Sequence, residues 1–319
     1  MAKENAVRVT PNDEYYIFEL DDSVTREHVY YKTRYDIEIA ADLYYSRTLD
    51  KASQHPALVV GPPFGGVKEQ GPGVYANQLA QRGFVVIAFD PAYHGYSGGT
   101  PRDSGSPDTY VEDFSAAVDF LGTLSYVDRH RIGALGICAS GGFALAAAAQ
   151  DMRIKAVATS VMYDIPHLAN LATGKDRAAQ LAALSEQRWS DISAKQANYP
   201  SQPVTEFPEG LDPVSREFFS FYGFKRGWHP HALYNVTNVS NLSFMNFEAT
   251  ARINEISPRP VMLVTSEEAH SKAFSEETYA KLAEPKELVV EPHGQHVDFY
   301  DDVSVIPFDK FEKFFNTNL

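Results

Sequence analysis

Short, wholly apolar runs alternate along this chain with stretches in which apolar residues recur every three or four positions. After a polar N-terminal arm, Ile37–Tyr45 (IEIAADLYY) predicts a strand, and HPALVVG predicts a buried strand that ends at Gly61 in a Gly/Pro-rich loop. Gly73–Gly83 predicts a helix, Phe84–Phe89 (FVVIAF) a buried strand running into Asp90, and Arg131–Gly136 another strand. Val111, Phe114, Val118 and Leu121 place Tyr110–Leu124 on a helix, and Gly142–Gln150 is an Ala-rich one. Ile154–Ser160, Pro260–Thr265 and Glu287–Glu291 complete the strands. Strands alternating with helices require right-handed crossovers, so the expected class is α/β: a mostly parallel central sheet covered by helices.

Residues 165–258 break that rhythm. They open with a helical run (Asp176–Trp189), pass through a Pro-bearing loop (YPSQPVTEFPEG), and reach an aromatic cluster of Phe218, Phe219, Phe221, Tyr222, Phe224 and Trp228. A stretch that long exceeds a strand connection. It is expected to be an inserted, mainly helical cap on a core formed by 1–164 and 259–319. If the cap roofs a site at the strand C-termini, Trp228 or Phe221 would line an apolar pocket, with Tyr163 and Tyr93 as further substrate-binding candidates. A satellite mini-core without function is the alternative.

Composition removes several function classes. The 319 residues carry a formal charge of −14 without a basic stripe, which argues against nucleic acid or an anionic membrane as partner. One cysteine, Cys138, excludes intramolecular disulfides and multi-Cys metal sites. The N-terminus lacks a signal-peptide pattern and no run of about 18 apolar residues occurs. The expectation is a cytoplasmic protein acting on a small-molecule acyl substrate, with a homo-oligomer left open.

The chemistry concentrates in RIGALGICASGGFAL. A strand ending at Gly136 followed by a helix near Gly142 puts Cys138 at the nucleophile position of a G-x-Nuc-x-small elbow. Such a turn is tight, so small residues (Gly136, Ser140) are needed two before and two after the nucleophile. The helix N-terminus behind it favours a thiolate and a developing oxyanion. A second register, with Ser140 as nucleophile, stays open, and so does an inert buried Cys138. The base expected from KELVVEPHGQHVDFYDD is His296, with His293 as second candidate. For the orienting acid, Asp164 just past its strand competes with Glu267 and Glu268. Backbone N–H groups of Ala139 and of Phe64 or Gly65 should form the oxyanion hole, because Pro62 and Pro63 have none to give. His94 is expected to be structural or pocket-lining, and His229 and His231 to serve a cap loop rather than a metal. No cofactor or metal is implied.

The order strand–GPPFGG–strand–FDPAYHGYSGG–elbow–cap–His resembles an α/β-hydrolase over nearly the whole chain. The elbow GICASGG is similar to the dienelactone-hydrolase-like branch, which uses a Cys–His–Asp triad. GGVKEQ, SVMYDI, RWSD, SFMNF, SPRP, AHSKAFSE and HVDFYDD look like bacterial hydrolases related to fungal polyketide-tailoring enzymes. The chain departs from that branch at Ala269, where its Asp would stand, and in its larger cap, which suggests a bulkier substrate. The resemblance implies hydrolysis or acyl transfer of an ester, lactone or thioester through a covalent acyl-enzyme. Rivals are a peptidase or amidase on the same fold and a ligand receptor that has lost catalysis.

Overall fold

Eight strands pair into one sheet in the computed structural model, which describes residues 15–173, 176–197, 209–232 and 236–319. They are β1 (Val24–Lys32), β2 (Glu38–Ser46), β3 (His55–Gly61), β4 (Val85–Phe89), β5 (Val127–Ile137), β6 (Ile154–Ser160), β7 (Val261–Ser266) and β8 (Lys286–Glu291). The spatial order is β1-β2-β4-β3-β5-β6-β7-β8; β1 and β2 run antiparallel and all pairs from β4 to β8 are parallel. Strand β4 is buried end to end, and β3 and β5 are buried through their C-terminal halves, because helices cover both faces, which is why these stretches appear in sequence as unbroken apolar runs.

The helices are α1 (Gly71–Gln81), α2 (Pro107–Leu121), α3 (Ala139–Gln150), α4 (Ile165–Thr173), α5 (Arg177–Ala194), α6 (Pro213–Tyr222), α7 (Asn241–Phe244), α8 (Lys272–Lys281), α9 (Asp298–Asp301) and α10 (Phe308–Asn318). Helix α3 packs between β5 and β6, with Gly141 so close to the strand layer that a Cβ there would lie 2.5 Å from Met162 Cβ. On α10, Phe311 and Phe315 are fully buried, one turn apart.

The polar N-terminal arm of the sequence reading holds β1. Its VTREHVYYK is a sheet edge of mostly half-buried and exposed residues, so no apolar run announces it. Between β6 and β7 lie α4 to α7, where the inserted segment was expected. Helix α5 buries no residue fully, whereas α6 buries Phe219, Phe221 and Tyr222. Much of the expected Pro-bearing loop, 198–208, lies outside the described residues, as do positions 1–14.

Candidate active site

The turn between β5 and α3 bends at Cys138, whose φ of 55° and ψ of −120° put a side-chain-bearing residue in a strained region. Its surroundings hold it there. The Cys138 N–H donates to Ser160 O (2.9 Å), and its carbonyl accepts from Gly141 N (2.9 Å) and Tyr163 N (2.8 Å). Only glycine fits at 136, since a Cβ there would sit 2.0 Å from the Ser140 carbonyl oxygen. Ser140 lies within the first turn of α3, and its hydroxyl donates to Pro62 O at 2.5 Å, bracing the GPPFGG loop. The strain therefore falls on Cys138, while the Ser140 hydroxyl is spent on the loop.

Cys138 is 3% exposed. Burial pushes its thiol up to about 11, against the opposing pull of a hydrogen bond shared with the Tyr300 hydroxyl and of those from the backbone N–H groups of Phe64 and Ala139. Those two N–H groups are the pair anticipated for an oxyanion, and they converge on the sulfur from the β3 loop and the α3 N-terminus. Gly65, beside Phe64, turns the loop with φ of 67°.

A buried ionic cluster fixes that loop from behind. Lys68 pairs with Glu69 and with Asp90 (3.4 Å), and Asp90 Oδ1 also accepts the Lys68 backbone N–H (2.8 Å). Burial, with Asp90 nearby, raises the Glu69 carboxyl to about 8. Gln70 Nε2 donates to Gly227 O at 2.5 Å, tying the loop to the turn after α6. His229 stands there too, with Nε2 3.7 Å from Glu69 Oε2, and burial lowers its pKa to about 3.

His296 follows β8 and precedes α9, and it is fully buried. Its Nε2 meets the Tyr300 hydroxyl at 2.9 Å and its Nδ1 meets Ser271 Oγ at 2.7 Å. Burial and the neighbouring His270 imidazole hold its pKa well below the usual histidine range. Around the ring stand Tyr163 (centroids 5.1 Å), Phe218 (5.4 Å) and His270 (4.6 Å). His270 Nδ1 pairs with Glu217 Oε2 (3.1 Å), and Glu217 Oε1 accepts the Val297 N–H (2.9 Å). A carboxylate from α6 thus clamps the loop that carries His296.

The structure gathers Cys138, Ala139, Phe64, Tyr163 and His296 into one site. The expected carboxylates are engaged elsewhere, and a hydroxyl, Ser271, takes the place on His296 foreseen for one. Asp164 Oδ1 accepts from His167 N (3.0 Å) and Oδ2 from Thr250 Oγ1 (3.2 Å). Glu268 accepts from Gly294 N (2.9 Å) and faces His293, while Glu267 pairs with Lys272 at 2.7 Å. Trp228 is 46% exposed and sits edge-on to Tyr15, so it is no roof for Cys138; Phe221 is fully buried, 5.1 Å from the Tyr300 ring. Tyr93 is half-buried in the turn after β4, held against Gly99. His94 is buried, with Nδ1–H donating to Ala92 O (2.9 Å), and burial lowers its pKa to about 4. Beside Asp164 opens a cavity of about 920 Å³ whose lining mixes polar Arg177, Asn246 and Lys281 with apolar Met245 and Phe247; neither Cys138 nor His296 lines it. Ser271, Tyr300, His270 and Glu217 were absent from the sequence reading.

Sheet order, strained elbow and buried histidine define an α/β-hydrolase, and residues 65–305 match the model of the Alpha/beta hydrolase family, to which this chain belongs. It is similar to the Pseudomonas aeruginosa protein PA2218, 45% identical over 310 residues (95% of this chain, 83% of that one). The crystal structure of PA2218 superposes with a TM-score of 0.93 over 98% of both chains. The chain is also similar to thiohydrolase aneE of Aspergillus aculeatus, 26% identical over 221 residues, 66% of this chain and 68% of that one. Among the described residues no helix is long and apolar enough to cross a membrane.

Proposed function

We propose that the protein hydrolyses, or transfers the acyl group of, an ester, lactone or thioester through a covalent intermediate on Cys138. The observation that carries this is the convergence at the strained elbow: Phe64 and Ala139 N–H groups aimed at the same point as a buried thiol. When a substrate carbonyl enters, its oxygen takes those donors, and the sulfur is left facing the carbonyl carbon. Cys138 attacks as nucleophile, with His296 as the base that takes up a proton as the thiol loses one and releases it as the leaving group departs.

Chemistry of the base favours activated acyl groups. A thiol raised to about 11 gives up its proton reluctantly to an imidazole whose pKa is depressed. With a hydroxyl instead of a carboxylate on Nδ1, the imidazolium is only weakly stabilised. Leaving groups that depart with little protonation, thiolates above all, suit such a site better than amines, in keeping with the similarity to thiohydrolase aneE. The segment 165–258 serves as the cap, through α6, and the branch of the superfamily is the cysteine-elbow one.

The test pairs a thioester, a matched p-nitrophenyl ester and a matched anilide with intact-mass detection of the acyl-enzyme. The expected result is turnover of the first two, an acyl adduct on Cys138, and a loss of about 3 or more orders of magnitude in kcat for Cys138→Ala. Undiminished turnover by Cys138→Ala would sink the reading.

A further inference from the structure

His296 and Tyr300 lie four residues apart across the start of α9, a spacing that sets both side chains on one side of a single turn. The Tyr300 hydroxyl is 2.9 Å from His296 Nε2 and is also hydrogen-bonded to the Cys138 thiol, so it stands between nucleophile and base. Its position is built, not incidental. Tyr300 is fully buried, with Phe221 edge-on at 5.1 Å. Tyr75 on α1 hydrogen-bonds the preceding carbonyl, Phe299 O (2.8 Å), and its hydroxyl also meets Ser160 Oγ (2.7 Å). Ser160 O in turn accepts the Cys138 N–H (2.9 Å), so one strut positions both ends of the pair.

We propose that Tyr300 is a catalytic residue whose hydroxyl relays the proton between Cys138 and His296. The proposal rests on the reading of Cys138 as nucleophile. The Ser271 hydroxyl lies 3.3 Å from Val161 O and donates to it, which leaves the Ser271 oxygen to accept from His296 Nδ1–H. Nε2 then carries a lone pair facing the Tyr300 O–H. In acylation the S–H bond breaks as a new O–H bond forms on Tyr300; the original Tyr300 O–H breaks as Nε2–H forms. The products are a thiolate and an imidazolium, and the phenol stays neutral. As the leaving group departs, Tyr300 gives it a proton and recovers one from Nε2. Deacylation repeats the first transfer, with water in place of the thiol. Burial holds the Tyr300 phenol well above its usual range, so a free tyrosinate is avoided and the two protons move together.

Two protons in flight leave a signature that packing alone cannot produce. For the acylation burst on a p-nitrophenyl ester, measured in mixtures of light and heavy water, the wild-type rate is expected to fall along a bowed curve against deuterium content. Tyr300→Phe keeps the buried ring and removes the hydroxyl; its kcat is expected to fall by about 10²–10⁴-fold, the range for one proton-transfer group. KM should stay within about threefold, because the ring remains in place. A straight-line dependence in the wild type overturns the relay without any variant, as does Tyr300→Phe turning over at the wild-type rate while Cys138→Ala and His296→Ala are inactive. Full activity in Cys138→Ala is a different outcome: it removes the nucleophile reading beneath the proposal.

Discussion

A Cβ at position 136 would collide with backbone, not with a movable side chain, and this makes Gly136 the least replaceable residue of the elbow. Gly136→Ala is expected to cost more than about 4 kcal/mol, the range of severe core lesions, and to show as loss of cooperative unfolding or of soluble protein. Ser140→Ala deletes one buried hydrogen bond to Pro62 O and should cost about 1–3 kcal/mol in urea unfolding while retaining turnover. Were Ser140 the nucleophile, that variant would be inactive. The thiol itself gives a pH prediction. Because burial pushes Cys138 up to about 11, alkylation of the resting protein by iodoacetamide should keep accelerating from neutral pH toward 11. A plateau reached near pH 7 would show a preformed thiolate instead. At this scale the sequence marked Cys138, His296 and the Phe64 and Ala139 N–H groups because each follows a strand in a recognisable turn. Ser271 escaped since a hydroxyl beside an imidazole has no motif of its own. Tyr300 was more accessible: HVDFY already places an aromatic hydroxyl one helical turn past His296.

Among the elements, the strands between β2 and β8 were legible with boundaries within a few residues, since burial on both faces writes a continuous apolar run. Helix α6 shows the limit of such reading. Its aromatics are visible in sequence, but which of them face the site depends on how it docks, and Trp228 beyond its end turns to the surface. Trp228→Ala is therefore expected to leave the ratio of KM values for long and short acyl esters within about twofold, well under the 10–200-fold that a pocket contact can supply. Glu217→Ala, by contrast, orphans the Val297 N–H and the His270 ring, and should lower stability by about 1–3 kcal/mol and reduce kcat as well. Thermal unfolding and steady-state kinetics on the two variants side by side separate the elements' roles. Equal effects would count against the clamp.

Across the whole molecule, several histidines are kept neutral by burial, and this sets its response to acid. His94 falls to about 4 and His229 to about 3, both below the unfolded value near 6.5. A depressed histidine contributes stability that is present above 6.5 and is lost as pH falls toward the folded value, because the unfolded chain binds the proton first. For His94 the gap corresponds to about 3 kcal/mol. Urea midpoints are thus expected to hold near neutrality and to drop steadily from about pH 6.5 to 4, with a shallower drop in His94→Gln. A flat profile through pH 5 would show that these rings accept protons without unfolding.

The clamp from α6 to the His296 loop bears on how proteins of this architecture diversify. A cap that only covered a pocket could be exchanged between relatives like a lid between jars, each exchange bringing a new substrate range. Here Glu217 on α6 supplies a hydrogen bond to the backbone beside His296 and a partner to the adjacent imidazole. A transplanted segment must therefore bring a carboxylate to the same place, or its host loses the support of the loop that carries His296. Mutational drift in α6 is free on the solvent side and constrained at Glu217 and at the buried Phe219, Phe221 and Tyr222, so new specificities should arise by point changes within an inherited segment more readily than by wholesale replacement.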